Sequence, residues 1–281
     1  MAKTSKDYLS DILQLNLNEL EFQWLTGAVV QISKAKSRKD LYITYSLCTT
    51  KIQDTPITDF GPQEYEWKSY LETQKASTLE ISRIFVLSSV LEASGEFLQP
   101  VQQLIQVADK TELETFLKYL VLLPEPESFK FAAVEALRTN IATVFNAISQ
   151  YNPYPSQYFT TAEWNQMYLK AAFMQQDLKK IPKVEKMANK DLARIISDYA
   201  HERWAASRVI DPMFWRPVSN FLEGNLIDDI ERLFKSDTER EQKAATLVCF
   251  HSNSDEAKKL LKTYDTHLQK VEKGEITWKN L

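Results

Sequence analysis

The run Asp198-Tyr199-Ala200-His201-Glu202-Arg203-Trp204-Ala205-Ala206-Ser207-Arg208 crowds ionisable and aromatic side chains more densely than a packing helix needs. At about 100° per residue, Arg194, Asp198, His201, Glu202, Ala205 and Arg208 share one side of a helix. Leu192, Ile195, Ile196, Tyr199 and Ala206 form the opposite, apolar stripe, and Arg203 falls inside it. A charge there must find a partner, because an unpaired buried charge is very costly. Acid–base chemistry is one use of the run: His201 and Glu202 both titrate, and Asp198 one turn back is placed to orient the imidazole. Adjacent helical residues diverge by about 100°, however, so His201 and Glu202 need not act together. Metal binding is another, since Asp198, His201 and Glu202 stand at i, i+3 and i+4. No HExxH, CxxC or paired Glu-xx-His accompanies them, and the remaining histidines are His251 and His267. A solvated, ion-paired face explains the same pattern, so neither a catalytic residue nor a metal ligand is assigned.

Two other carboxylates invite a magnesium site. Asp228-Asp229-Ile230-Glu231-Arg232 lacks the third acid, one turn on, of a DDxxD cluster. Acids in the first turn of a helix are favoured by its dipole, which accounts for them.

Polar residues at positions where helical patterning expects core are the stronger signal. After Pro126, Phe131, Val134, Leu137, Ile141, Phe145 and Ile148 mark one apolar stripe, with Arg138 between Phe131 and Phe145. After Thr161, Trp164 to Phe173 leaves little polar face, yet it carries Asn165 and Lys170. One account is structural: these groups cap neighbouring helices or pair with one another, and an arginine satisfies several orphan carbonyls. The sharper one gathers Arg138, Asn165, Lys170, His201, Glu202 and Arg203 into one concave, mildly basic pocket rimmed by Trp164, Trp204 and Trp215. Such a pocket suits a small anionic or aromatic metabolite.

The elements that would hold it are helical throughout. Proline and glycine punctuate apolar-periodic segments of about 10–20 residues, the usual length of globular helices. Thr161 and Asn189 stand as N-caps, and Ser236-Asp-Thr-Glu239 has the form of a capping box. Gly27, inside Phe22 to Val30, implies close helix–helix approach, since glycine in a helix interior is unfavourable. From Leu226 to Leu268 the pattern is helix, turn, helix, turn, helix, near the roughly 40-residue rhythm of HEAT arrays. The expected fold is therefore all-α: an irregular α-α superhelix of stacked antiparallel pairs, HEAT/ARM-like, with about thirteen helices. It should form a single domain over residues 1–281, with a weak seam near 95–100.

Composition narrows the function. Five glycines, and no GxGxxG or GxxxxGK[ST], argue against a Rossmann or P-loop nucleotide site. A net charge of −4, from 34 basic and 38 acidic residues, argues against a nucleic-acid partner, which calls for a basic excess. Lys179, Lys180, Lys183, Lys186 and Lys190 make one local basic cluster, diluted by Glu185 and expected to be a solvated face. Cys48 and Cys249 sit far apart in apolar patterns and are expected as small core residues. The amino terminus, Met-Ala-Lys-Thr-Ser-Lys-Asp, shows no apolar leader, and no run is long enough to span a membrane. A reduced, cytoplasmic protein without a cofactor is the expectation.

Several segments together resemble the EboA family of bacterial proteins: Leu137-Arg-Thr-Asn140, Asn152-Pro-Tyr-Pro155, Trp164-Asn-Gln-Met-Tyr-Leu-Lys-Ala-Ala-Phe173, Ala188-Asn189, Asp198 to Ala206, Arg208 and Trp215-Arg-Pro217. The similarity is tight over about residues 120–217 and looser on both sides. The resemblance implies a gene cluster with a UbiA-type membrane prenyltransferase, a sugar-isomerase-like barrel, a TatD-like hydrolase, a dehydroquinate-synthase-like protein and a phosphatase-like protein. It also implies a link to moving natural-product precursors out of the cytoplasm, with no reaction assigned to the family itself. The implied function is a non-catalytic adaptor or small-molecule-handling protein, with proteins of that cluster, the prenyltransferase included, as partners. The alternative is an enzyme of unknown reaction, with His201 and Glu202 as acid and base and Arg138, Lys170 and Arg203 holding an anionic substrate.

Overall fold

Capping, more than length, sets the helices of this chain. The computed structural model describes residues 4–62 and 67–281; Met1 to Lys3, the first part of the amino-terminal stretch read above, lie outside the described residues. The regular elements described are helices, joined by one isolated antiparallel bridge between Pro56 and Ser77, so the all-α expectation holds. The chain divides into two compact units, Met1–Tyr158 and Phe159–Leu281.

The first unit runs α1 (Ser5–Asn16), α2 (Glu19–Ala35), α3 (Arg38–Lys51), α4 (Lys68–Thr73), α5 (Thr78–Ala93), α6 (Leu98–Val107), α7 (Lys110–Tyr119), α8 (Lys130–Ala136), α9 (Ala142–Ser149) and α10 (Tyr154–Tyr158). Its centre is α5, buried from Thr78 to Val90 except at half-buried Glu80 and packed by α1, α2, α3 and α7. A helix apolar all round has to be enclosed, and each fully buried Ile, Leu, Val or Phe stabilises it by about 1.5–3 kcal/mol. Ser77 and Glu80 start α5 with reciprocal side-chain-to-backbone bonds of 3.3 and 3.2 Å. Arg83 lies in this core, 1 % exposed, with Nη2 3.5 Å from Glu112 Oε1 and its guanidinium 5.5 Å from the Tyr45 ring centre. Its Nε and Nη1 are buried without a hydrogen-bond partner.

The Asn152-Pro-Tyr-Pro155 segment is a lock within this unit. Buried Asn152 donates through Nδ2 to the carbonyls of Leu117 (2.9 Å) and Ala147 (2.8 Å). Its Oδ1 accepts the Tyr154 amide, and the Tyr154 hydroxyl donates to the Pro126 carbonyl.

The single stripe expected after Pro126 is broken. The amides of Leu137, Arg138 and Thr139 bond to carbonyls three residues back, and Thr139 Oγ1 accepts the Ile141 amide. This tightened turn ends α8 and redirects α9. Leu137, Phe145 and Ile148 stay in the core, whereas Phe131 is 71 % exposed and Ile141 50 %.

The second unit runs α11 (Thr161–Phe173), α12 (Val184–Met187), α13 (Lys190–Ala205), α14 (Asn225–Phe234), α15 (Glu239–Phe250), α16 (Asp255–Thr263) and α17 (Leu268–Glu272). A ten-residue 3₁₀ run, Pro212–Phe221, lies between α13 and α14. Here α15, buried from Ala244 to Cys249, is the centre, packed by the 3₁₀ run, α14, α16 and α17. The helix–turn–helix–turn–helix rhythm from Leu226 onward corresponds to α14, α15 and α16. The expected thirteen helices undercount the segments, because α4, α10, α12 and α17 are pieces of four to six residues.

Local details correct three expectations. Thr160, not Thr161, caps α11, in a reciprocal box with Glu163. The Ser236 hydroxyl does not cap α15; it accepts the Thr238 amide and donates to Glu241. Gly27 is exposed on α2, and a Cβ there would meet nothing within 4 Å, so close helix approach is not its reason. Replacing Gly27 by Ala should therefore stabilise the protein by about 0.5–1 kcal/mol, read as a higher urea midpoint at unchanged slope. Cys48 and Cys249 are buried and unpaired, and burial pushes both thiols up to about 12, against the lowering effect of Arg83 on Cys48. Because the thiolate is the reactive form, neither should react with Ellman's reagent at pH 8 until the protein is unfolded. Rapid native labelling would contradict that burial.

Candidate functional site

The hollow with the most distinctive chemistry lies in the second unit. Asn189 starts α13 by accepting the Leu192 amide (3.0 Å), as its sequence position suggested. Its side-chain amide is held in turn by buried Asn165 of α11, through reciprocal bonds of 3.1 and 2.9 Å. Trp164 and Tyr168 stack on the buried side of α11 (5.4 Å), and Tyr168 stacks on Phe214 of the 3₁₀ run (5.8 Å). The Tyr168 hydroxyl donates to the Met213 carbonyl, and burial raises its pKa strongly. Asp211 caps the run by accepting the Met213 amide (3.0 Å) and Pro212 occupies its first turn, where a missing N–H costs nothing.

Between α11, α13, this run and the start of α15 lies a cleft of about 420 Å³. Tyr199 and Phe214, packed edge to face at 5.3 Å, form an aromatic wall with Pro212 and Ile210. Gln175, Gln176, Arg203, Asp211, Arg240 and Glu241 supply its polar groups. Asp211 is paired with Arg240 (3.2 Å), and Glu241 accepts the Ser236 hydroxyl. Arg203 is different. Its Nη2 donates to the Val209 carbonyl (2.8 Å), its Nε is buried without a partner, and no carboxylate among the described residues pairs with it. Its position in the apolar stripe of α13 thus brings it to the cleft wall.

The other residues expected in one pocket lie elsewhere. Arg138, in the first unit, is 73 % exposed and ion-paired with Glu135 at 3.2 Å; the turn that ends α8 keeps it from the core. Asn165 is spent on Asn189. Lys170 is half-buried, its amine pKa lowered by desolvation, and it does not line the cleft. Trp164 and Trp215 are fully buried packing groups, not a rim. Trp204 stacks on Trp215 (5.8 Å), carries the Arg232 guanidinium over its ring (4.2 Å), and lines a separate polar groove with Arg208 and Asp228.

His201 and Glu202 do not work as a pair. Glu202 is exposed, while His201 Nε2 hydrogen bonds Oδ1 of buried Asp229 (2.6 Å). Ser197 Oγ donates to the other oxygen of that carboxylate (2.5 Å). Serine and histidine therefore both bond the acid rather than each other, and the base–nucleophile contact of a hydrolytic triad is missing. Asp229 departs from the helix-dipole account of the Asp228-Asp229 pair. It stands with Leu226, Ile230 and Leu233 on the buried side of α14, and that i, i+3, i+4, i+7 spacing is the signal that locates it. Among the described residues, no group of three or more His, Cys, Asp or Glu is arranged to hold a metal ion.

Fold and hollow together define an all-helical protein with a small-molecule-sized cleft in its second unit. The chain belongs to the EboA family: the family model described as "Metabolite traffic protein EboA" matches residues 5–219. Membership assigns it a role in metabolite traffic in general. No curated protein and no solved structure matches the chain. No helix among the described residues is long and apolar enough to cross a membrane.

The Asp229 cluster should be structural. Asp229→Ala leaves the Ser197 hydroxyl buried without an acceptor and should cost about 1–3 kcal/mol in urea unfolding. His201→Ala, at a half-exposed position, should cost less; the reverse order would contradict the assignment.

Proposed function

We propose that this chain is a non-catalytic binding protein that holds a small anionic, aromatic metabolite in the Arg203 cleft. The observation that carries the reading is the Arg203 guanidinium, without a carboxylate partner, set against the aromatic wall of Tyr199 and Phe214. Asp211 and Arg240 offset each other within it, and Glu241 is turned to the Ser236 hydroxyl, so an incoming anion gives Arg203 the counter-charge it lacks. A volume of about 420 Å³ lies within the usual range of small-molecule sites, roughly 300–1,000 Å³. Charge-assisted bonds from a planar guanidinium suit a carboxylate or phosphate, and the flat rings suit an aromatic body.

Membership of a metabolite-traffic family supports carrying rather than turnover. So does the use of His201 and Ser197 to satisfy Asp229, since that histidine is not placed as a base on that serine. In this reading the protein works in the cytoplasm on a natural-product precursor. It passes its cargo to other proteins of the same pathway, a membrane prenyltransferase among them.

Saturation-transfer NMR with 2-naphthoate tests the site. The ring protons should receive saturation from the native protein, and Arg203→Ala should weaken binding by about tenfold or more, the worth of one charge-assisted contact. Naphthalene-2-carboxamide, which lacks the charge, should bind more weakly to the native protein and equally to both forms. Equal naphthoate binding by native and Arg203→Ala proteins would overturn the proposal.

A further inference from the structure

The first unit holds a larger hollow of opposite chemistry. A cleft of about 700 Å³ opens between α6, α7, α8 and the start of α9. Its apolar lining includes Ile105, Leu113, Phe129, Phe131, Ile141 and Val144. Phe131 and Ile141 are the two members of the expected core stripe that the turn after α8 leaves uncovered, 71 % and 50 % exposed. Exposing two large apolar side chains beside one concavity costs stability with no packing return, a mark of a binding surface rather than of a core.

We propose that this cleft is a second binding site, independent of Arg203, for a neutral, hydrocarbon-rich small molecule. Charge matching selects that occupant. Lys110 is paired with Glu114 (3.4 Å), Glu135 with Arg138 (3.2 Å), and the Gln102 amide donates to the Ser128 carbonyl (2.9 Å). A charged ligand would lose its hydration and meet no uncompensated counter-charge, which is unfavourable. A neutral apolar one gains burial against the six side chains named and disturbs none of these pairs. The volume lies within the range that encloses small molecules.

Nile red, a neutral solvatochromic dye, is a direct probe. The native protein should bind it saturably, with blue-shifted emission and about one dye per chain. Phe131→Asp and Ile141→Asp should each weaken binding by about tenfold or more without lowering the melting temperature, because Phe131 is exposed and Ile141 is the uncapped N-cap of α9, where Asp is favoured. Arg203→Ala should leave dye binding intact, which separates this site from the anion cleft. The proposal is overturned if the dye fails to saturate on native protein, or if both aspartate variants bind it as well as the native chain does. It is equally overturned if light scattering finds a dimer that Phe131→Asp dissolves, since the face would then be covered by a second copy.

Discussion

A chain cut into short helices must satisfy backbone groups at many ends, and that requirement shapes both units. Each helix start leaves four amides without intrahelical acceptors. Side chains supply several of them by reciprocal pairs: Thr4 with Asp7, Asn18 with Glu21, Ser77 with Glu80, Asp109 with Glu112, Thr160 with Glu163. The capping residues then do more than close ends. Glu80 also binds Lys118 and the Tyr119 hydroxyl, and Glu112 also faces Arg83. Asn189 links the start of α13 to the middle of α11. Through such double use, local helix starts become the joints between elements.

This double use explains what was legible in the sequence. Hydrophobic period and Pro/Gly punctuation specify helices, and Arg203 is recognisable by its place in line with Ile195 and Tyr199, the half-buried flank of α13 beside its buried face of Leu192, Ala193, Ile196, Ser197 and Ala200. Arg138 was misplaced because the same period was extended across residues 137–141, where turn bonds to carbonyls three residues back override it. Asn165 reads as polar among apolar neighbours, but its partner lies 24 residues away and no local pattern announces it. Asp229 was legible and overlooked: its place in the buried stripe of α14 outweighs its place in the first turn. Arg83 was likewise visible, as a lone cation in a run that is otherwise apolar or small. What no pattern supplies is which groups end up opposite one another.

The two hollows differ in how their own charges are paired. In the second unit Asp211 is taken by Arg240 and Glu241 holds the Ser236 hydroxyl, while the Arg203 guanidinium beside the aromatic rings has no carboxylate partner. In the first unit the charges near the cleft cancel in neighbouring pairs, and most of the remaining lining is hydrocarbon. Similar helical scaffolding thus yields linings of opposite chemistry through a few side chains.

The Pro212–Phe221 run carries one more implication. A 3₁₀ helix advances about 2.0 Å per residue against 1.5 Å for an α-helix, so these ten residues reach about a third farther. One end walls the Arg203 cleft through Pro212 and Phe214, while Arg216 grips Glu185 at 2.8 Å and the Leu178 carbonyl at 3.3 Å. The run behaves as a strut, so the seat of Phe214 in the cleft wall and the anchorage of α12 at Glu185 are set by one rigid segment.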